Sequence, residues 1–275
     1  MNPTVATPPG LDLSAPAAAL RDLAWRAEQA GLNAAASPRE TLIEGWLLRL
    51  SPGKARRSRC INALGTTGQL PIDELLARSR RSFEQAGLPV LMRMTPFSQP
   101  PELDAWLASR GWKAFDPSDV KVMPSLELLD TSDGQEASPL MALTREAYAD
   151  QVGRLRGSTP EEIHGHAERL RTAPVPHQAF CLQADDGSPL AYGQIAVDGS
   201  IVGLFDIMTS PEHRGQGHGY RLCAALLRTA RQQGASEAYL QVAADNTPAQ
   251  SLYARLGFQH AYRYHYRSDD PRAWP

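Results

Sequence analysis

The sequence predicts an α/β fold, of the α+β kind with a mixed and mostly antiparallel sheet, built as two tandem copies. Three observations predict it. Segments with helical spacing of apolar residues alternate with short apolar runs along the whole chain. Three of those runs, His177 to Ala184, Leu190 to Val197 and Ile201 to Thr209, are separated by the turn signals Asp185-Asp186-Gly187 and Asp198-Gly199, which makes them an antiparallel meander. Helix, glycine, strand, helix, glycine and aromatic residue also follow in that order twice. Gln85-Ala86-Gly87 leads into Pro89 to Met94 and then Leu103 to Gly111-Trp112; Gln233-Gly234 leads into Glu237 to Ala243 and then Thr247 to Gly257-Phe258. A length of 275 residues accommodates two such copies, at about 150 residues per domain.

The elements follow in order. Residues 1–16 carry Pro3, Pro8, Pro9, Gly10 and Pro16 and read as a flexible tail. Leu20, Leu23, Ala24, Ala27 and Ala30 predict a helix that Gly31 ends. Leu42 to Leu50 and Arg59 to Leu64 read as strands. Ile72 to Ala86 is a helix with Leu75, Leu76, Phe83 and Ala86 on one face, stopped by Gly87; Pro89 to Met94 is a strand. Leu103 to Arg110 is a short helix, and Trp112 opens an extended stretch to Met123. Asp130 to Pro139 is polar and turn-rich, the linker between a first lobe at 17–129 and a second at 140–275. Leu140 to Ala149 reads as helical. Thr159-Pro160-Glu161-Glu162 starts another helix with a capping hydroxyl, a proline in the first turn and a glutamate placed for a capping box. After the meander, helices are expected over Gly217 to Gln233 and Thr247 to Leu256, and strands over Glu237 to Ala243 and on to about Arg267.

Composition excludes several classes of function. Hydrophobic residues make up 42% and charged residues 21%, enough apolar surface to offset the entropy of ordering. The 28 basic and 30 acidic residues leave a net charge of −2, which argues against a nucleic-acid or anionic-membrane partner. Three widely spaced cysteines, Cys60, Cys181 and Cys223, are expected as reduced thiols in a cytoplasmic protein. No run of about 18 apolar residues predicts a membrane span, and no basic segment followed by an apolar run predicts a secretory signal.

The chemistry concentrates in one stretch. The apolar run Ile201 to Thr209 passes through Ser210-Pro211 into Arg214-x-x-Gly217-x-Gly219, where a helix begins. Glycines let backbone approach an anion closely, and the free amides and positive end of a helix bind it. Arg214 adds a guanidinium. A P-loop would need Gly-Lys-Ser/Thr at the helix start. A dinucleotide loop would need a third glycine where Tyr220 stands, after a parallel strand.

Arg214-Gly-Gln-Gly-His-Gly219 after a strand resembles the pyrophosphate loop of the GNAT superfamily of N-acetyltransferases. Asn246-x-x-Ala249-x-x-x-Tyr253-x-x-x-Gly257-Phe258 is similar to that superfamily's second signature, and together the two motifs carry the resemblance over residues 140–267. The opening of the first half, Glu44-Gly-Trp46-x-x-Arg49-x-Ser51-x-Gly53-x-x-Arg56-Arg57, looks like the N-terminal lobe of bacterial tandem GNAT proteins. That lobe has no Arg-x-x-Gly-x-Gly, and Leu107 stands where the second has Tyr253.

The resemblance implies acetyl-CoA as co-substrate, no metal, and a degenerate first lobe. It places the pyrophosphate on Arg214, Gly215, Gln216, Gly217, His218, Gly219 and Tyr220, and the pantetheine arm along Ile207, Met208 and Thr209, where the strand splays from its neighbour. A backbone amide of Ile207 or Met208 is the oxyanion donor. Asn246 braces the coenzyme arm or a local turn. Tyr253 is the acid for the departing thiolate, a phenol of pKa about 10 facing a thiol near 8.5. With no cysteine in either motif, a primary amine attacks directly in a ternary complex. The acceptor is a small-molecule or peptide amine of a kind these motifs do not specify, and the oligomeric state is not predicted.

Plainer readings stand beside these. Tyr253 completes the apolar face Ala249, Leu252, Leu256, and a core tyrosine is the plainer alternative to the acid role. Asp206, the one charge in its strand, is a general base, the partner of an arginine, or an acceptor-binding carboxylate. His164 and His166 sit two apart on a helix and face different ways, a poor metal site. His213 and His218 read as solvated loop histidines, Cys223 as core, and Lys54, Arg56, Arg57 and Arg59 as a solvated basic run. Tyr262, Tyr264 and Tyr266 form an aromatic strand face. A non-catalytic acyl-CoA-binding module, or a scaffold using the first lobe, are the rival functions.

Overall fold

A computed structural model of the chain describes residues 15–37, 39–51, 55–64, 70–129 and 140–274. Residues 1–14 of the expected tail and the expected linker at 130–139 lie outside these. The chain forms two compact units, one of residues 1–21, 36–119 and 262–275, the other of residues 22–35 and 120–261. This differs from a division at the linker. The last residues complete the sheet of the first unit, and helix α1 (Ala15–Ala34) gives most of its length to the second. That helix does not stop at Gly31. Leu32 and Ala34 are buried beyond it, and their packing outweighs the roughly 1 kcal/mol cost of a helical glycine.

In the first unit, β1 (Glu40–Ile43) and β2 (Trp46–Arg49) form a hairpin where one strand was expected. Glu44 and Gly45 turn the chain at φ 40° and 88°, the double positive φ of a tight two-residue turn. After a single turn of 3-10 helix at Arg56–Ser58, β3 (Ile61–Ala63) pairs antiparallel with β2 and parallel with β4 (Met92–Met94), shorter than expected; α2 (Ile72–Gln85) connects them. Next come α3 (Leu103–Ser109) and residues 113–119 of β5 (Lys113–Met123). The final strand, β11 (Gln259–Ser268), is a single element and enters this unit at Tyr262; it pairs antiparallel with β4, Tyr266 opposite Arg93. Trp46, Leu48, Ile61, Leu75, Phe83 and Leu107 lead its core.

In the second unit, β6 (Leu140–Leu143) is a strand antiparallel to β7 (His177–Gln183), where a helix was expected. Leu140 and Leu143 fit either period, and Thr144 ends the ambiguity by capping α4 (Arg145–Leu155) through the Ala147 amide. The capping box at α5 (Pro160–Thr172) is formed as expected: Thr159 Oγ1 accepts from the Glu162 amide and Glu162 Oε2 from the Thr159 amide. β7, β8 (Pro189–Asp198) and β9 (Ile201–Thr209) are the antiparallel meander. Helix α6 (His218–Gln232) then crosses to β10 (Glu237–Ala243), parallel to β9, and α7 (Thr247–Arg255) follows. Strand order is β10-β9-β8-β7-β6. Leu222, Cys223, Leu226, Leu227 and Ala230 bury one face of α6 completely, each leucine contributing about 1.5–3 kcal/mol.

The repeat is visible in both units. A helix joins a parallel strand pair, β3-α2-β4 and β9-α6-β10, and the next helix ends at a glycine of positive φ before a buried aromatic, Gly111-Trp112 and Gly257-Phe258. The architecture is mixed α/β with an open, mostly antiparallel sheet.

Candidate functional site

The site is set by where β9 leaves β10. Their parallel ladder runs from Ile201 opposite Glu237 to Leu204 opposite Leu240, although β9 continues to Thr209 and β10 to Ala243. On its other edge β9 stays paired with β8 to the end, but its register slips. Tyr192 faces Met208 and Gln194 faces Phe205, so β9 carries one extra residue. The bulge is at Asp206, which adopts φ 50°. A non-glycine residue in that region costs about 1–3 kcal/mol, and aspartate tolerates it better than most. Ile207, Met208 and Thr209, half-buried, therefore lie past the end of the ladder, with backbone on the β10 side that the ladder does not use.

Asp206 is held on all sides. Its carbonyl accepts from the Tyr148 hydroxyl at 3.0 Å. Arg156 Nη2 donates to Oδ1 at 2.9 Å, Gln194 Nε2 donates to Oδ2 at 3.1 Å, and His166 Nε2 lies 3.3 Å from Oδ2. Burial pushes its pKa up, but the His166 contact and the Arg156 and Arg169 guanidiniums outweigh this and hold the carboxyl well below the usual range. Arg156 also donates through Nε to Met208 Sδ at 3.2 Å, bridging the bulge to the residue two beyond.

Ser210 ties the end of β9 to β8, its amide donating to Leu190 O at 3.0 Å and its hydroxyl to Pro189 O at 3.1 Å. A 3-10 turn at Pro211–His213 leads into the glycine loop. Gly215 and Gly217 have φ 76° and 83°, and Gly217 is the N-cap of α6 with no side chain capping the helix. The first amides of α6 thus have no capping side chain, at the positive end of a 15-residue helix. Arg214 is exposed and makes no ion pair among the described residues. Tyr220 lies under Arg255, 4.8 Å from guanidinium to ring centroid. His218 is buried, contrary to expectation, with Nε2 3.4 Å from Gln216 Oε1; burial lowers its pKa, helped by Arg221 and His213, so the ring is neutral at pH 7. His213 remains half-exposed, edge-on to it.

Asn246 is the N-cap of α7, its side chain accepting from the Ala249 amide at 3.2 Å, which is the local-turn role. Tyr253 is 7% exposed, edge-on to Phe258 at 6.0 Å, and packs in the main apolar cluster of the unit. Its hydroxyl makes no hydrogen bond among the described residues. Burial raises its pKa, with the neighbouring Cys223 adding to the effect, so the phenol stays protonated. The Cys223 thiol is pushed up to about 12 by burial and is core.

Sequence reasoning weighed His166 only as a metal ligand and did not find Tyr148, Arg156 or Gln194; the fold gathers all four around Asp206 from α4 and its end, α5 and β8. His164 is exposed and His166 half-buried, as their spacing implies. In the first unit, Arg56 pairs with Asp116 at 2.6 Å, Arg57 and Arg59 are half-buried rather than solvated, and Lys54 is outside the described residues. Tyr262, Tyr264 and Tyr266 are buried there, with Arg93 4.0 Å above the Tyr264 ring. Among the described residues no group of His, Cys, Asp and Glu is arranged to hold a metal, and no helix is long and apolar enough to cross a membrane.

Comparison with known proteins bears on the fold and the family. The sequence model of the Acetyltransferase (GNAT) family matches residues 144–258. The chain is 28% identical to YobR of Bacillus subtilis (strain 168), an uncharacterised N-acetyltransferase, over 231 residues that cover 82% of this chain and 90% of YobR. Among solved structures, a GCN5-related N-acetyltransferase from Kribbella flavida superposes with TM-score 0.68 at 18% identity, covering 92% of this chain and 95% of that one. A tandem GNAT protein of the clavulanic acid biosynthesis pathway superposes with TM-score 0.58 at 18% identity, covering 76% of this chain and 74% of its own. The likeness of fold therefore extends well beyond the segment that the family model matches.

Proposed function

Since the chain belongs, through residues 144–258, to the acetyltransferase (GNAT) family, we propose that its second unit binds acetyl-CoA and transfers the acetyl group to a primary amine in a ternary complex. One observation carries this reading: a bulged strand that parts from its parallel neighbour and runs straight into an uncapped, glycine-lined helix start. Such an arrangement offers backbone donors to an extended amide-bearing arm and, one loop later, amides and a guanidinium to a pyrophosphate.

Each residue then has a task. Gly215, Gly217 and the first amides of α6 cradle the pyrophosphate, with Arg214 beside them and Gln216, His218 and Tyr220 shaping the loop. Backbone of Ile207, Met208 and Thr209 aligns the pantetheine arm, and an amide of Ile207 or Met208 polarises the acyl carbonyl. The thioester supplies the acyl group. Asn246 fixes the start of α7, and Tyr253, about two turns on, gives its proton to the departing thiolate. An ionised, triply held Asp206 suits the charge-partner role better than that of a base. The acceptor is a small-molecule or peptide amine, and three buried free thiols fit a reducing cytoplasm.

The burial of Tyr253 favours a second reading, a module that binds acyl-CoA without turnover. Calorimetry with acetyl-CoA, followed by thiol release with a spermidine, amino-acid and aminoglycoside panel, separates the two. One site per chain and thiol release with any amine supports the enzyme. One site without release supports the module, and no binding by folded protein removes both.

A further inference from the structure

The residues assigned so far deal with the coenzyme and the leaving thiolate; the proton on the attacking amine still needs an acceptor. Resting on the acetyl-transfer reading, we propose that His166 accepts that proton and that Asp206 is its positioning residue.

The geometry is specific. His166 Nε2 lies 3.3 Å from Asp206 Oδ2, and the imidazole side chain is 12% exposed. At that distance Nε2 is within ion-pair reach of the carboxylate but short of hydrogen-bond geometry, and neither ring nitrogen makes a hydrogen bond among the described residues; a small rotation of the ring that sets Nε2–H on Oδ2 leaves the lone pair on Nδ1. Tyr148 packs edge-on to the ring at 6.2 Å while its hydroxyl donates to the Asp206 carbonyl, so one tyrosine registers both the imidazole and the bulge. Asp206 immediately precedes Ile207, on the part of β9 beyond its ladder with β10. The base and the amide proposed to face the acyl carbonyl are thus anchored to adjacent residues of one strand. Asp206 itself is a poor proton acceptor, because Arg156 and Gln194 already occupy its oxygens beside His166.

In the reaction the amine nitrogen bonds to the acyl carbon, the carbon–sulfur bond breaks, the amine proton passes to His166 Nδ1, and the thiolate takes the Tyr253 proton. His166 then returns its proton to solvent, from which Tyr253 is reprotonated. Besides Asp206, the groups around His166 are Arg156 and Arg169, which act with it on the Asp206 carboxylate, the buried His177, and Tyr148.

The test has two arms. Full-length protein with nitrogen-15 histidine and saturating acetyl-CoA reports the ring directly, the H166Q spectrum assigning the signal. An Nε2–H tautomer whose titration midpoint falls in D206N is expected. An Nδ1–H tautomer, or a midpoint indifferent to D206N, overturns the orientation; asparagine keeps the positive φ tolerable there. The second arm follows thiol release with the fastest amine of the panel. H166Q is expected to bind acetyl-CoA normally, lose at least about 100-fold in kcat and lose the acid limb of the pH profile. A loss under about threefold with the limb intact overturns the role. Failure of wild-type protein to bind acetyl-CoA sinks the broader reading instead, and the spectra then decide the His166–Asp206 pairing alone.

Discussion

Gly219 stands directly against Leu252: a Cβ on the glycine would lie 3.1 Å from Leu252 Cδ1 and 3.4 Å from Thr209 Oγ1. The first turn of α6 is thereby packed between the end of β9 and the residue before Tyr253. G219V is expected to destabilise by about 1–3 kcal/mol through overpacking and to weaken acetyl-CoA binding together with it. G215A has no neighbour within 4 Å of its Cβ, so its cost is the backbone strain of φ +76°, about 1–2 kcal/mol. Denaturant unfolding of both variants checks this, and a G219V protein as stable as wild type would show that the packing is slack.

Arg214 is exposed and unpaired among the described residues, so R214Q should leave stability within about 0.5 kcal/mol of wild type. Loss of a charge-assisted bond to pyrophosphate should weaken acetyl-CoA binding at least about 10-fold. Calorimetry at two salt concentrations checks both halves, because the variant should also lose part of the salt dependence. Wild-type affinity in R214Q would move the pyrophosphate elsewhere.

Y253F keeps the ring against Phe258 and removes only the hydroxyl. The acid role predicts a kcat lower by about 100-fold or more at nearly unchanged acetyl-CoA affinity. Single-turnover thiol release is the measurement. A core tyrosine would pass through the change with its turnover intact.

His177 sets an acid limit on stability. Burial lowers its pKa to about 4 from 6.5, while Nε2 stays 3.1 Å from the Ala34 carbonyl oxygen. As pH falls below 6.5 the unfolded chain takes up a proton that the folded chain refuses until about 4. Stability is therefore complete above that window and declines within it by roughly 1.4 kcal/mol per pH unit, about 3 kcal/mol in all. H177Q, whose amide can still donate to Ala34, should show a shallower loss between pH 7 and 4.5 in urea unfolding; an unchanged slope would assign the acid sensitivity to other groups.

Much of the second unit was legible because its signals are local. Asp185-Asp186-Gly187 and Asp198-Gly199 announced the meander, Thr159 and Glu162 the start of α5, and Arg214-x-x-Gly217-x-Gly219 the uncapped helix. Errors arose where one short pattern fits two structures. Leu140 and Leu143 satisfy a strand as well as a helix, and Glu44-Gly45 hid a hairpin inside an apolar run. Gly31 lost its power to end a helix once buried residues followed it. The cluster on Asp206 was illegible for another reason. His166 meets that carboxylate across 40 residues of chain, and only the extra residue in β9 turns the side chain toward α5.

The pairing of Met92–Met94 with 265–267 has a consequence for biosynthesis. Until residues 265–267 have been synthesised, β4 has no antiparallel partner, whereas every residue of the second unit, up to Ala261, has by then been made. The usual order, in which the N-terminal domain matures first, is reversed. A nascent chain must carry the first unit as an unfinished sheet until β11 is made, with an unsatisfied strand edge that chaperones would recognise. A stop codon just before residue 265 would therefore damage the first unit rather than the second, although most of the first is made earlier.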